Sequence, residues 1–319
     1  MKLNSSNFMC LMMMLTTTTM SLMINNWLFM WILMEINLFM FMPLMSKNKI
    51  NDQSIKYFII QSFSSHLLMF SILMVSILMM PPKNSLIVMI ALMMKTGMAP
   101  LHLWLPEIMN KMKWNECLML ASPLKIIPMI LMSKFTSMKM VIIPMMLSLM
   151  MGCLSGLNQT CLKKMMAFSS IFNLAWMISS FMTSKKVMLL FMMIYTSLNF
   201  KIMMFFKKMN IQYMNQINQL ELKKKIKINM MILSLSGLPP MMGFFPKWMI
   251  LKEMVMKSNI MCFTMIMTSL ISMFMYMQIS SFTFSNLSMK KKMILENKMS
   301  SINLINLMYI PIMLIFWVN

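Results

Sequence analysis

The sequence predicts an all-α, multi-pass membrane protein of about eleven transmembrane helices, arranged as an inverted repeat with two broken helices. Of the 319 residues, 59% are hydrophobic and 11% are charged, whereas a soluble domain carries about 25% charged residues. Five stretches contain no lysine, aspartate or glutamate and reach the roughly 20 residues that cross a bilayer. They are 57–82, 140–162, 165–184, 258–289 and 299–319. A Gly/Pro pattern that recurs 140 residues apart supplies the evidence for the repeat.

The predicted helices follow the apolar runs between charged or proline-marked breaks. They are 4–24, 27–45, 57–80, 84–105, 116–133, 140–157, 165–183, 187–206, 228–251, 259–284 and 301–318. We expect one membrane domain over residues 1–319, with a first repeat at about 1–133, a second at about 140–284 and a C-terminal helix at about 301–318. The polar stretches 207–227 and 285–298 are expected to be solvated loops or to contact lipid headgroups.

Lysines are distributed unequally between the two sides that eleven spans define. The side that holds the N-terminus collects eighteen lysines and the other side seven. The positive-inside rule therefore places the N-terminus on the cytoplasmic or matrix side and the C-terminus opposite. The net charge of +22 reflects this topology and an affinity for anionic lipid such as cardiolipin. It does not indicate nucleic acid binding, because no basic patch is interleaved with aromatic residues on a soluble domain.

Four charged residues interrupt the apolar runs: Glu35, Lys95, Lys125 and Lys247. A charge at the centre of a bilayer costs roughly 2.5–3.5 kcal/mol on insertion scales. Residues that are retained at such a cost usually bind something or move protons. Because a low dielectric disfavours the charged form of a lysine, these groups can exchange protons. We expect Glu35 to switch Lys95 between holding and releasing a proton, Lys125 to pass it along and Lys247 to deliver it to the far side.

Two segments share the pattern of a broken helix. GMAPLHLWLPE begins at Gly97 and GLPPMMGFFPK begins at Gly237, and both read Gly-x-x-Pro-x-x-x-x-x-Pro followed by a charge. Five spans separate equivalent points, and an odd number inverts the second copy. Paired interrupted helices in inverted repeats indicate a transport site. The alternative is that glycine and proline are simply common in membrane helices. The residues expected to break the helices are Gly97, Pro100, Gly237, Pro239 and Pro240.

No motif in the chain predicts a cofactor-binding or metal site. The five cysteines lack CxxC spacing, and no Gly-rich phosphate loop occurs. The histidines are only His66 and His102, and His66 is expected to be buried and hydrogen-bonded. The 60 methionines allow a copper-binding interpretation, but they are spread through every segment. Their distribution favours methionine as a flexible apolar packing residue.

Four stretches together resemble one known family: MEINLFMFMPL (34–44), KTGMAPLHLWLPEIMNKMKWNECLMLASPLKIIPMIL (95–131), LNQTCLKKMMAFSSIFNLAWMISS (157–180) and LSGLPPMMGFFPKW (235–248). They resemble, in order, the antiporter-like subunits of the mitochondrial complex I membrane arm, which are related to Mrp-type sodium/proton antiporters. The resemblance covers nearly the whole chain. It implies antiporter-like inverted five-helix repeats.

The resemblance also implies a function and a set of residues. The chain would be a proton-translocating core subunit that couples electron transfer from NADH to ubiquinone to proton pumping across the mitochondrial inner membrane. Its N-terminus would lie in the matrix and its C-terminus in the intermembrane space. The family's proton path uses one glutamate and three lysines, matched here by Glu35, Lys95, Lys125 and Lys247.

Partners and cofactors follow from the same resemblance. The partners would be other membrane-arm subunits of complex I, including neighbouring antiporter-like subunits. NADH, flavin, iron–sulfur clusters and ubiquinone are expected on other subunits, with no redox centre on this chain.

The chain departs from the family pattern at one point. Asn173 and Ala175 stand where the family commonly has histidine and glycine. Asparagine cannot take up and release a proton as histidine does, which leaves a relay at this point open, with water or Lys164 as substitutes.

Two other functions share part of this evidence. A self-standing Mrp-like cation/proton antiporter would contain the same buried lysines, but it would be extracted alone or as a small oligomer rather than in a large assembly. A purely structural membrane scaffold would tolerate Glu35→Gln and Lys125→Met without any loss of pumping.

Overall fold

The computed structural model describes residues 5–46, 52–77, 86–239 and 241–284, and this part of the chain is built from helices. The helices are α1 (Ser5–Met23), α2 (Trp27–Met45), α3 (Asp52–Ile77), α4 (Leu86–Thr96), α5 (Trp104–Lys111), α6 (Trp114–Ala121), α7 (Pro123–Phe135), α8 (Met138–Leu157), α9 (Leu162–Thr183), α10 (Lys185–Met209), α11 (Met214–Ile217), α12 (Leu222–Ser236), α13 (Phe244–Met254) and α14 (Asn259–Phe284). The all-α membrane architecture predicted from composition is thereby confirmed.

Helices occupy ten of the eleven predicted segments, and the eleventh, 301–318, lies outside the described residues. Seven helical segments in the described ranges are long and apolar enough to cross a membrane: Trp27–Met45, Asp52–Ile77, Trp114–Phe135, Lys139–Leu157, Leu162–Thr183, Lys186–Met209 and Asn259–Ser281. Three predicted spans are divided into shorter helices, α4 with α5, α6 with α7 and α12 with α13. The count of eleven spans therefore stays a prediction.

Two clusters of buried apolar side chains fill the interior, one towards each end of the bundle. The first, cluster A, contains the N-terminal half of α2 and the C-terminal half of α9, for example Met34 and Trp176. The second, cluster B, contains the opposite halves of the same helices, for example Phe41 and Ile171. The helices α3, α7, α10 and α14 also contribute to one cluster or both. The two clusters are therefore stacked along the helix axes.

The helix α9 lies at the centre of the bundle. It packs against α5, α6, α7, α8, α10 and α13. From Leu162 to Ser180 all its side chains are buried except Lys164. A helix that is surrounded on every side by other helices needs no single apolar face, which explains why serine and asparagine recur along it.

The stretch 207–227 is more helical and more buried than the solvated loop or headgroup contact expected from its sequence. It includes the end of α10, the short helix α11 and the start of α12. Ile211, Met214 and Ile217 are buried in cluster B, and Lys225 is only 5% exposed. Three apolar side chains at short spacing thus fix a segment whose charges had suggested a solvated loop. A second expectation was also wrong, because His66 is exposed on α3.

Gly152 provides a test of the packing between α8 and α9. A Cβ atom at this position would lie 2.7 Å from the backbone nitrogen of Phe172 and 2.8 Å from its Cβ. Since backbone atoms of a buried helix cannot move aside easily, we expect Gly152→Ala to destabilise the fold by about 1–3 kcal/mol, as overpacking does elsewhere. The measurement is the temperature at which the chain loses protease resistance in native membranes.

Gly156→Ala is the matched control for Gly152→Ala. Its new Cβ would meet the sulfur of Met275, which lies at the flexible end of a side chain that can change rotamer. We expect a much smaller effect than that of Gly152→Ala. Equal effects of the two substitutions would contradict the close α8–α9 contact.

Candidate functional site

Polar and charged side chains form a layer between the two apolar clusters. In α3, α9, α10 and α14 the polar members of this layer stand where each helix passes from cluster A to cluster B. The members include Asn37, Gln61, Ser64, Ser65, Lys95, Thr96, Lys125, Ser169, Ser170, Asn173, Asn199, Lys247, Thr268 and Ser272, all of them buried. We call this set, together with the less buried Glu35, the central layer. It contains all four charged residues that the sequence singled out.

Lys95 and Glu35 form an ion pair inside the central layer. The Nζ atom of Lys95 lies 3.6 Å from Oε1 of Glu35, and the two side chains are 3% and 18% exposed. Lys95 is in the last turn of α4, where the negative end of the helix dipole favours a cation. The buried amide of Gln61 on α3 also donates to the carbonyl of Lys95 at 3.3 Å. The predicted Glu35–Lys95 contact is present in the structure.

Both predicted helix breaks contain a glycine in the left-handed conformation. Gly97 has φ of 73° and Gly237 has φ of 82°, values that side chains other than glycine rarely adopt. The amides of Gly97 and Met98 both donate to the carbonyl of Met93, which closes α4. Gly237 is the C-cap of α12. Pro100 and Pro239 lie in the segments that follow, and Pro240 lies outside the described residues.

A small cavity adjoins Lys95. It encloses about 20 Å³ and is lined by Asn37, Tyr57, Gln61 and Lys95, together with apolar residues of α2 and α7. That volume is enough for about one water molecule. The amide and ammonium groups in its wall would supply the hydrogen bonds that such a water needs. The cavity also reaches Ile127 and Pro128 of α7, the helix that carries Lys125.

Of the three buried lysines, Lys125 has the fewest neighbouring groups that stabilise its positive charge. Its ammonium donates to the hydroxyl of Ser170 at 2.9 Å, and it is 3% exposed. The helix α7 begins at Pro123, after a break at Ser122. Lys125 therefore lies in the first turn, where the positive end of the helix dipole disfavours a cation. A neutral hydroxyl is its only hydrogen-bond partner among the described residues.

Lys247 interacts with a carbonyl and two aromatic rings. Its ammonium donates to the backbone carbonyl of Ser236 at 2.9 Å. It also lies 5.4 Å from the ring centre of Phe172 and 5.6 Å from that of Trp176. Ser236 ends α12, so the bond satisfies a carbonyl that the helix break leaves without an intrahelical partner. The cation–π contacts add attraction for a charge beside which the described part of the chain places no carboxylate.

The helix α9 connects the surroundings of Lys125 and Lys247. Ser170 contacts Lys125, while Phe172 and Trp176 face Lys247. Within the described residues, no hydrogen bond or ion pair joins Lys95 to Lys125, or Lys125 to Lys247, directly. Asn173 lies between these contact points and donates to the carbonyl of Ser169 at 2.9 Å. Proton movement between the lysines would therefore require intervening groups or water.

The sequence does not single out Ser170 and Gln61 of the central layer, or Tyr57 beside it, because these residues are neutral. The two α3 residues have a signal in their spacing, since Gln53, Tyr57 and Gln61 recur every four residues along one face of that helix. Among the described residues, no group of three or more histidine, cysteine, aspartate or glutamate side chains could hold a metal ion.

The fold and the buried charges define a multi-pass membrane protein with a layer of buried ionisable groups in its interior, and comparisons with known proteins specify the class. The sequence model of "NADH:quinone oxidoreductase/Mrp antiporter, TM" matches residues 24–272. NADH-ubiquinone oxidoreductase chain 2 of Locusta migratoria is 41% identical over 292 residues, which cover 87% of this chain and 85% of the relative. The chain of that name from Anopheles gambiae is 35% identical over 318 residues, covering 94% and 93%. This chain therefore belongs to the NADH:quinone oxidoreductase/Mrp antiporter family, among the relatives named NADH-ubiquinone oxidoreductase chain 2.

A solved structure has the same fold. A chain of respiratory complex I from Thermus thermophilus superposes with a TM-score of 0.71 at 18% identity. The match covers 81% of this chain and 66% of the Thermus chain. The resemblance noted in the four sequence stretches is thus confirmed at the level of family and fold.

The ion pair can be tested by removing one partner and then both. Glu35→Gln leaves the buried ammonium of Lys95 without its counter-charge, and breaking a buried pair costs about 3–5 kcal/mol. We expect the double variant Glu35→Gln/Lys95→Met to be more stable than Glu35→Gln alone, since it contains no unpaired charge. Protease resistance on heating in native membranes compares the variants. A double variant that is as unstable as the sum of the two single variants would show that the groups do not interact.

Proposed function

We propose that this chain is a proton-translocating subunit of NADH:ubiquinone oxidoreductase, in which Glu35, Lys95, Lys125 and Lys247 relay protons through the central layer. The observation that carries the proposal is the burial of three lysines in one polar layer with three different kinds of partner: a carboxylate, a hydroxyl, and a carbonyl with aromatic rings. Groups that differ in how strongly they hold a positive charge can pass a proton in sequence.

Each relay group has a distinct role in this proposal. Glu35 sets the charge of Lys95, because their separation of 3.6 Å couples them strongly in a low dielectric. Lys125 is the middle station, since its surroundings compensate its charge least and it releases a proton most readily. Lys247 receives the proton beside the second helix break. Ser170 is positioned to hold the Lys125 ammonium. Asn173 takes no proton itself, and its amide donates to the carbonyl of Ser169 in the same helix.

The cellular setting is part of the proposal. The animal relatives are named as chains of NADH-ubiquinone oxidoreductase, which supports a place in the mitochondrial inner membrane beside other membrane-arm subunits, including antiporter-like ones. The excess of lysines on the N-terminal side supports a matrix N-terminus and contact with anionic lipid such as cardiolipin. NADH oxidation and quinone reduction would occur on other subunits, because this chain lacks CxxC and Gly-rich phosphate motifs.

Lys125→Met tests the relay directly. The substitution keeps an apolar stem of similar length and removes the titrating group. We expect proton translocation driven by NADH oxidation to be lost in the assembled complex, reconstituted in liposomes and followed with a pH-sensitive dye. Lys186→Met is the matched control, because Lys186 is exposed at the start of α10, and it should translocate protons like the unmodified protein.

Membranes that contain the assembled complex can also distinguish a complex I subunit from a self-standing antiporter and from a structural scaffold. Mild detergent extraction and native electrophoresis should place the chain in a very large multi-subunit assembly. Migration alone or as a small oligomer would support a self-standing antiporter instead. Normal assembly with unchanged translocation in Lys125→Met would leave only the scaffold function.

A further inference from the structure

Polar side chains continue from the central layer along α3 to the end of the bundle that holds cluster B. Gln53 and its neighbour Ser54 lie four and three residues before Tyr57, which lies four before Gln61, so the four residues share one face of the helix. All four are buried, with exposed fractions between 4% and 8%. The opposite face is apolar and exposed, with Phe58, Ile59 and Phe63 at 37%, 58% and 57%. A helix with an exposed apolar face thus directs its polar groups inwards along two turns.

A recess opens at the N-terminal end of this polar face. It encloses about 150 Å³ and has a largely charged and polar lining: Met45, Asp52, Gln53, Ser54, Lys111, Met112 and Glu116. Asp52 and Lys111 are exposed, so the recess communicates with the surface. Its volume is enough for several water molecules. This recess opens at the end of the bundle that the proposed function places on the matrix side.

The inner end of the same face is the small cavity beside Lys95. Tyr57 and Gln61 line this cavity, whereas Gln53 and Ser54 line the outer recess. Gln53 and Gln61 are eight residues apart, which corresponds to about 12 Å along a helix. One turn of α3, from Gln53 to Tyr57, therefore separates a water-sized cavity at the ion pair from a recess open to the surface.

We infer that the buried polar face of α3 is the route by which protons reach the Glu35–Lys95 pair from the recess lined by Asp52. In each step along this face, a water or the Tyr57 hydroxyl accepts one proton and donates another. No net charge is left behind, and the proton ends on Lys95 or Glu35. Tyr57 conducts protons. Gln61 is a positioning residue, because its amide fixes the carbonyl of Lys95 at the helix break. This route rests on the proposed function.

The second repeat carries the same residue spacing. Tyr195 and Asn199 on α10 repeat the Tyr-x-x-x-amide pattern of Tyr57 and Gln61. The tyrosines are 138 residues apart and the break glycines 140 residues apart. Both α10 residues are buried, and their hydroxyl and amide groups lack hydrogen bonds of normal geometry in the described structure. A tyrosine and an amide one turn apart, on the third long helix of each predicted repeat, support a shared role beside the broken helices.

Tyr57→Phe and Gln61→Leu test the route in the assembled complex. Tyr57→Phe removes the hydroxyl and keeps the ring that packs edge-on against Phe41 at 5.3 Å. We expect each variant to lower NADH-driven proton translocation several-fold. In Tyr57→Phe, slowed proton delivery should also enlarge the effect of deuterated water on turnover, which a purely structural change would not do. Gln61→Asn keeps an amide that can donate at the cavity and should recover part of the rate lost in Gln61→Leu.

The controls separate the route from the function on which it rests. Tyr213→Phe alters an exposed tyrosine away from the layer and should leave both rate and isotope effect unchanged. If Lys125→Met abolishes translocation while Tyr57→Phe and Gln61→Leu behave normally, the route is wrong and the proposed function stands. If Lys125→Met also translocates normally, both fail. Should Gln61→Leu not assemble, the isotope effect in Tyr57→Phe decides alone, and an unchanged effect overturns the route.

Discussion

The cost of a buried charge is the constraint on which the rest of this structure depends. Three lysines and a glutamate occupy a layer between two apolar clusters, and each must be compensated within a few ångströms. Lys95 is compensated by Glu35 and Lys247 by the carbonyl of Ser236 and two aromatic rings, whereas the described residues offer Lys125 only the hydroxyl of Ser170. This graded compensation distinguishes the three lysines from a set of matched ion pairs.

The helix breaks follow from the same constraint. A continuous helix satisfies its own carbonyls and offers no backbone acceptor to a buried ammonium. The breaks after Gly97 and Gly237 leave carbonyls that Gln61 and Lys247 then satisfy. Glycine is required because both positions adopt positive φ. The two glycines thus link backbone conformation to side-chain electrostatics at equivalent points of the chain.

The sequence predicted the burial of the isolated charges and the positions of the helix breaks, because both features are conspicuous against an apolar background. Glu35, Lys95, Lys125 and Lys247 stand out as isolated charges, and Gly97 and Gly237 by their shared spacing. Ser170 could not be singled out among many serines, since a hydroxyl costs little whether it binds its own helix or a neighbour. The burial of Lys225 does not follow from the charged stretch around it, because the apolar residues that anchor this segment lie outside that stretch.

The central position of α9 has a consequence for the membrane around the protein. From Leu162 to Ser180 this helix is enclosed by other helices and its side chains have almost no surface that lipid can touch. The polarisability and hydrogen bonding around Lys125 and Lys247 are therefore determined by the chain's own side chains. Acyl-chain length or saturation can change how the outer helices are solvated. The electrostatic environment of these two ammonium groups should nevertheless be the same in membranes of different lipid composition.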